Sequence, residues 1–185
     1  WRPGGKAWFT VLHQAAWHGA PNDVAAELIR RGALRSLPDA RGRTAYDVRY
    51  ERDLRADSPK DVAAQKRKSL VLRTRYLKPE PSPLAPRVIH ALDWHLADVI
   101  DSRIRGVLYE GRDPRRVLRY PPVRILHELP GQHLWFPVPG MYGGFDITLV
   151  KDFLDVKSWC RAVDGSGQAH VITTKGAILV DEGFV

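Results

Sequence analysis

Apolar residues recur at steps of three and four over residues 10–31 and again over 86–108, then at steps of two over most of 123–180. The chain therefore reads as helical first and sheet-forming last. In the first stretch Thr10 opens a helix, with Leu12, Ala15, Ala16 and Gly19 along one side. Small residues on that side allow close packing. Asp23 is the expected N-cap of a second helix over residues 24–31, which buries Val24, Leu28 and Ile29. Gly32 stands where a left-handed cap is wanted. Helix, turn, helix, turn is the unit of a helical solenoid.

Residues 78–86 hold four prolines in nine positions, a stiff and extended connector. Pro86 then suits the first turn of a long helix. Val88, Ile89, Leu92, Leu96, Val99, Ile100, Ile104, Val107 and Leu108 recur at helical steps, and Gly111 closes the segment. Asp113-Pro114 caps a short helical turn to Arg119. Strand signals follow over residues 123–129, 134–136, 145–150, 154–160, 170–173 and 177–180. The turns between them fall at 137–144, 151–152, 164–167 and 174–176. The predicted fold class is α+β, with residues 1–78 helical, 79–86 a connector, and 87–185 a long helix packed on an antiparallel meander.

Thr10-Val11-Leu12-His13-Gln14-Ala15-Ala16, then Gly19, then Leu28-Ile29-Arg30-Arg31-Gly32-Ala33 resembles an ankyrin repeat. A second copy starts at Asp39 and carries Thr44-Ala45-Tyr46-Asp47; its threonine lies 34 residues after the first. Val11 replaces the family's proline, and the spacing from Gly19 to Gly32 is about one residue long against the family pattern. After Val48 the second copy loses its pattern, residues 50–58 are mostly charged, and a helical look resumes only over 59–64. This copy reads as eroded and terminal. Ankyrin stacks usually need about three repeats. Either repeats precede Trp1, or the C-terminal part buries the open face. The resemblance implies a protein-interaction module and no reaction, with His13 tying adjacent turns and Trp17 and His18 on the helix face that meets partners. Residues 136–145, 158–161 and 165–168 are similar to a tail of uncharacterised bacterial ankyrin-containing proteins, which implies no activity.

Charge adds a second reading. Residues 1–78 hold 17 Lys+Arg against 8 Asp+Glu, while residues 79–185 hold 12 against 13. A basic first part favours an acidic protein, nucleic acid or an anionic surface, and also serves solubility. The densest cluster is Lys66, Arg67, Lys68, Arg73 and Arg75, which is the candidate nucleic-acid surface; a solvated helix face is the plainer account of it. Ordinary hydrophobic (44%) and charged (27%) fractions exclude a disordered chain and a coiled-coil rod. No apolar run approaches a membrane span. The one cysteine, Cys160, excludes an internal disulfide and cysteine-based metal clusters, and fits a reducing cytoplasm.

Candidate chemistry is thin. Cys160 and His170 are nucleophile and base by type, but no orienting carboxylate or oxyanion site accompanies them, and a buried strand cysteine is the plainer account. Gly165-Ser166-Gly167 lacks the following Lys-Ser/Thr of a phosphate loop and reads as a turn. His127, His133 and His170, with Glu128, would need one common face to hold a metal. Trp135 and Trp159 read as core. Tyr142, in a Pro- and Gly-rich loop, is the recognition candidate of the second half. The expectation is a non-enzymatic interaction module or adaptor without metal or cofactor. Nucleic-acid binding and a toxin-neutralising, immunity-type role are the alternatives.

Overall fold

The computed structural model describes residues 7–56, 74–105, 113–116, 118–161 and 166–183. The chain divides into two compact units, Trp1–Pro81 and Ser82–Val185.

In the first unit, α1 spans Val11–His18. Thr10 starts it in extended conformation: its Oγ1 accepts the His13 N–H, and the Thr10 N–H donates back to His13 Nδ1 at 3.3 Å. This is a capping box with histidine in the place of the usual Glu or Gln. Gly19, at φ 69°, ends the helix. A Cβ there would meet only the mobile end of the Arg52 side chain, so it is the left-handed φ that requires glycine. Helix α2 is Asn22–Arg30, starting before the expected Asp23 cap. Pro21 occupies the cap position instead, and Asp23 falls in the first turn, where its charge suits the helix dipole. Gly32 takes a φ of 94°, and the Ala33 N–H returns to the Leu28 carbonyl.

Helix α3, Ala45–Ala56, runs through the charged stretch where the sequence pattern fades. Ion pairs hold that stretch in place of apolar periodicity: Arg49 meets Asp53 four residues on at 2.9 Å, and Arg52 meets the same carboxylate at 2.7 Å. Thr44 opens α3 as Thr10 opens α1, exchanging hydrogen bonds with Asp47. Leu12, Ala16, Ala25, Ala45 and Val48 form the core, closed by Leu77 from a 3-10 turn at Arg75–Leu77. The expected helical resumption over 59–64 lies outside the described residues.

In the second unit, α4 spans Pro86–Ile104; the residues expected to extend it to 108 lie outside the described set. Five strands follow: β1 His133–Val138, β2 Gly143–Val150, β3 Phe153–Cys160, β4 Ser166–Thr173 and β5 Gly176–Glu182. They form one antiparallel sheet in chain order. The register sets one face. Phe145 opposes Phe136 and Ser158, Ile147 opposes Leu134 and Val156, and Leu154 opposes Leu149 and Ile172. Onto that face α4 packs Leu92, Leu96, Val99, Ile100 and Ile104, a stripe at helical spacing. Helices and an antiparallel sheet together make the fold α+β, as expected.

One expected strand is absent. Residues 123–129 are not extended; Val123–Glu128 is a 3-10 helix. Its buried residues, Val123, Ile125 and Leu126, fall at steps that suit three residues per turn. Its start is held from a distance, by the Val123 N–H donating to Asp93 Oδ1 at 2.7 Å. Burial pushes the Asp93 carboxyl above its ordinary range, and this hydrogen bond opposes the shift.

Two charged side chains of α4 anchor its end. Asp101, buried, accepts from Arg115 through Nε at 2.9 Å and through its terminal nitrogen at 2.6 Å, and from the Tyr120 hydroxyl at 2.5 Å. Arg103 reaches Ser158 Oγ at 3.2 Å, and Ser166 at its carbonyl and hydroxyl.

Candidate partner-binding cleft

A cleft of about 290 Å³ opens in the first unit between Ala7, Phe9, Trp17, Asp39, Arg41, Arg43 and Arg55. Each wall has a local cause. The aromatic wall comes from α1 and the residues before it. Trp17 lies one turn after His13, its ring edge-on to Phe9 at 6.3 Å, while Phe9 stacks on His13 at 5.4 Å. Trp17 remains 47% exposed, so its indole is available to a ligand. His18 is exposed beside it.

The basic wall is built on Asp39. Its Oδ1 accepts the N–H groups of Arg41 and Arg43 at 2.8 and 2.9 Å, folding residues 39–43 into a turn with Gly42 at φ 77°. Its Oδ2 accepts two donors of the Arg43 guanidinium, whose remaining terminal nitrogen meets Glu51 at 2.7 Å. His13 Nε2 lies 2.9 Å from the Arg43 carbonyl. A carbonyl only accepts, so Nε2 carries the proton and Nδ1 is the acceptor for Thr10. The aromatic and basic walls are thereby tied across 30 residues of sequence.

The electrostatics follow from who is paired. Arg43 is neutralised by Asp39 and Glu51. Arg41 and Arg55 are exposed and make no ion pair among the described residues, which leaves the cleft a basic rim over an aromatic floor. Burial alone would raise the Asp39 carboxyl, but hydrogen bonds from Arg43 and Arg41 outweigh it and hold the group below its ordinary range. A lowered folded-state pKa adds stability that is complete above the unfolded carboxylate value of about 3.9 and is lost as pH falls through the folded value. Wild-type protein is therefore expected to lose melting temperature below about pH 4 more steeply than Asp39→Asn, which should be about 2 kcal/mol less stable at neutral pH. Circular dichroism melts across that range check both.

The other sequence candidates scatter. Lys66, Arg67, Lys68 and Arg73 lie outside the described residues; Arg75 is exposed on its 3-10 turn. Tyr142 is 78% exposed in the hairpin between β1 and β2, at a left-handed φ of 49°. The same hairpin is anchored by buried Met141, whose N–H and carbonyl bond to Val138 and Arg161. Trp135 and Trp159 pair at 5.8 Å, but on the sheet face away from α4, and Trp135 is exposed, not core. Their register places Trp135 opposite Asp146, which meets His133 at 2.7 Å.

Cys160 and His170 share a face, but His170 opposes Val156, four positions before Cys160 on β3, or about 13 Å along the strand. Cys160 is buried, so no nucleophile–base pair forms. His133 and His170 lie on opposite sheet faces. Among the described residues no group of three or more His, Cys, Asp or Glu converges on a metal position, and no helix is long and apolar enough to cross a membrane. Ser166 is taken up by Arg103. Beside it, burial and the Arg103 charge hold the His170 imidazole below its ordinary pKa, with Nδ1 buried and without a partner.

Comparison with family models, with curated proteins and with solved structures gives no match. The functional reading therefore rests on the cleft.

Proposed function

We propose that the first unit is a non-enzymatic protein-interaction module, built on two ankyrin-like repeats, which grips an acidic segment of a partner protein in the Phe9–Trp17 cleft. The observation that carries this reading is the exposed indole of Trp17 set against Arg41 and Arg55, two guanidinium groups without carboxylate partners among the described residues. Exposed tryptophan and arginine are the residue types that dominate binding energy at protein interfaces. A carboxylate entering between the arginines would form charge-assisted hydrogen bonds, while an apolar or aromatic neighbour on the same segment covers the indole. The repeat assignment is supported by the Thr10 and Thr44 caps, 34 residues apart, and by the His13 bond to the Arg43 carbonyl, which links one repeat's first helix to the turn of the next. An adaptor or an immunity-type protein would both use such a module.

The test is a binding titration of the protein with a panel of fluorescent peptides, each combining Glu or Asp with an aromatic residue. Trp17→Ala is expected to weaken capture by about tenfold or more, and joint Arg41→Glu and Arg55→Glu to abolish it, with the melting temperature unchanged. His18→Ala reports whether the contact extends past the helix end. Binding that ignores Trp17 and both arginines removes the cleft from the proposal. Capture of a single-stranded oligonucleotide in preference to every peptide, with a steep loss on adding salt, replaces it with nucleic-acid binding.

A further inference from the structure

The cleft of the first unit has room for one side chain rather than for a length of peptide. Its volume of about 290 Å³ stands at the small end of ligand pockets, which run from roughly 300 to 1,000 Å³. Both of its walls must therefore be met by the same group. One wall is aromatic: Trp17, half exposed, stands at 63° to the Phe9 ring. A ring entering beside the indole would lie offset or edge-on, the arrangements that aromatic pairs prefer. The other wall is cationic. Arg43 is taken up by Asp39 and Glu51, which leaves Arg41 and Arg55 to meet a ligand. Asp39 does not repel an anion there, because it is buried and both of its oxygens accept from residues 41 and 43.

The two remaining guanidinium groups select the anion. Each presents a planar fork of N–H donors that pairs with two oxygens at once. A carboxylate has two oxygens, enough for one fork. A phosphate monoester has three terminal oxygens and a charge of about −1.5 to −2 at neutral pH, enough for two forks that share an oxygen. Aspartate and glutamate bring no ring, tyrosine brings no charge, and phosphoserine brings the anion without the ring. We propose that the cleft takes a phosphorylated tyrosine of the partner protein, its ring against Trp17 and its phosphate between Arg41 and Arg55, an inference that rests on the cleft being the partner-binding site. The acidic segment then supplies flanking charge, and the phosphate decides when the partner is held.

Fluorescence anisotropy of the full chain with one labelled acidic peptide in four forms tests this. A phenylalanine is kept beside the central residue, which is phosphotyrosine, tyrosine, glutamate or phosphoserine. The phosphotyrosine form is expected to bind about tenfold or more tighter than each of the others. Arg41→Gln and Arg55→Gln, both at exposed side chains, are each expected to bring it down to the level of the glutamate form. Trp17→Ala should weaken the phosphotyrosine form and leave the phosphoserine form unchanged. A glutamate or phosphoserine form that binds as tightly as phosphotyrosine overturns the inference; where that binding still needs Trp17 and the arginines, the cleft remains the partner site. A phosphotyrosine preference that survives both arginine substitutions also overturns it. Binding of every form that ignores Trp17, Arg41 and Arg55 removes the cleft itself, and the inference with it.

Discussion

Gly143→Ala is expected to cost about 3 kcal/mol or more, at or above the top of the usual overpacking range, although it adds one methyl group. A Cβ at Gly143 would stand 2.0 Å from the Trp159 carbonyl oxygen and 2.8 Å from its carbon. At Gly144 it would stand 2.3 Å from the Phe136 oxygen and 2.9 Å from the Pro137 Cα. The obstacles are backbone atoms of β3 and β1, the two neighbours of β2, so no side chain can turn aside to make room. One of the two ladders must open, and both hold the strand that carries Phe145 into the core. Gly131→Ala is the control. It faces open space but sits at φ 64°, so it should cost only the 1–2 kcal/mol or so of a left-handed alanine. Urea unfolding midpoints of the two variants separate backbone crowding from φ strain; equal losses would show that crowding is not the cause.

Asp101→Ala is the other large effect, expected at about 3 kcal/mol. Removing one partner of a buried ion pair usually costs 3–5 kcal/mol. Arg115 is 48% exposed and can turn to water, which places this pair at the lower end. Tyr120 cannot do the same: its hydroxyl donates to Asp101 at 2.5 Å, and its ring is set edge-on to Phe136. Burial, then the Asp101 carboxylate, pushes the Tyr120 hydroxyl far above its ordinary pKa. A raised folded-state value gives stability that is whole below the unfolded pKa of about 10 and declines as pH rises beyond it. Wild type should therefore lose melting temperature above pH 10 more steeply than Asp101→Ala. Asp101→Asn keeps an acceptor for Tyr120 and should fall between the two at neutral pH.

What the sequence made legible was local. Thr10, Gly19 and Gly32 punctuate the first two helices because capping and left-handed backbone depend on residues a few positions apart. The turn Lys151-Asp152 and the alternation of Phe145, Ile147 and Leu149 were readable for the same reason. The 3-10 helix Val123–Glu128 was not, because its first N–H is satisfied by Asp93, 30 residues earlier. Nor was the full length of α3, whose second half is held by Arg49 and Arg52 on Asp53, pairs that a search for apolar periodicity passes over. The cleft was half visible. Trp17 stood out as an exposed aromatic on a predicted helix, but Arg41, Arg43 and Arg55 joined it only through the fold. The signal that would have reached Arg41 and Arg43 was Asp39, a turn-forming carboxylate with both arginines within the next four residues.

The strand order of the sheet also bears on how the second unit acquires its structure. Every strand pairs with its neighbour in sequence, and the connections at residues 139–142, 151–152 and 174–175 are short. Closing a short loop costs little chain entropy, and topologies dominated by near-in-sequence pairing fold faster than those built from distant partners. Each of those hairpins can therefore zip from its own turn without waiting for the rest. The slower event is non-local: α4, made earlier in the chain, must find the finished face that Phe145, Ile147 and Leu154 present. Until it does, that face is open to water and to other chains, so the order in which helix and sheet mature governs how long the nascent unit stays sticky.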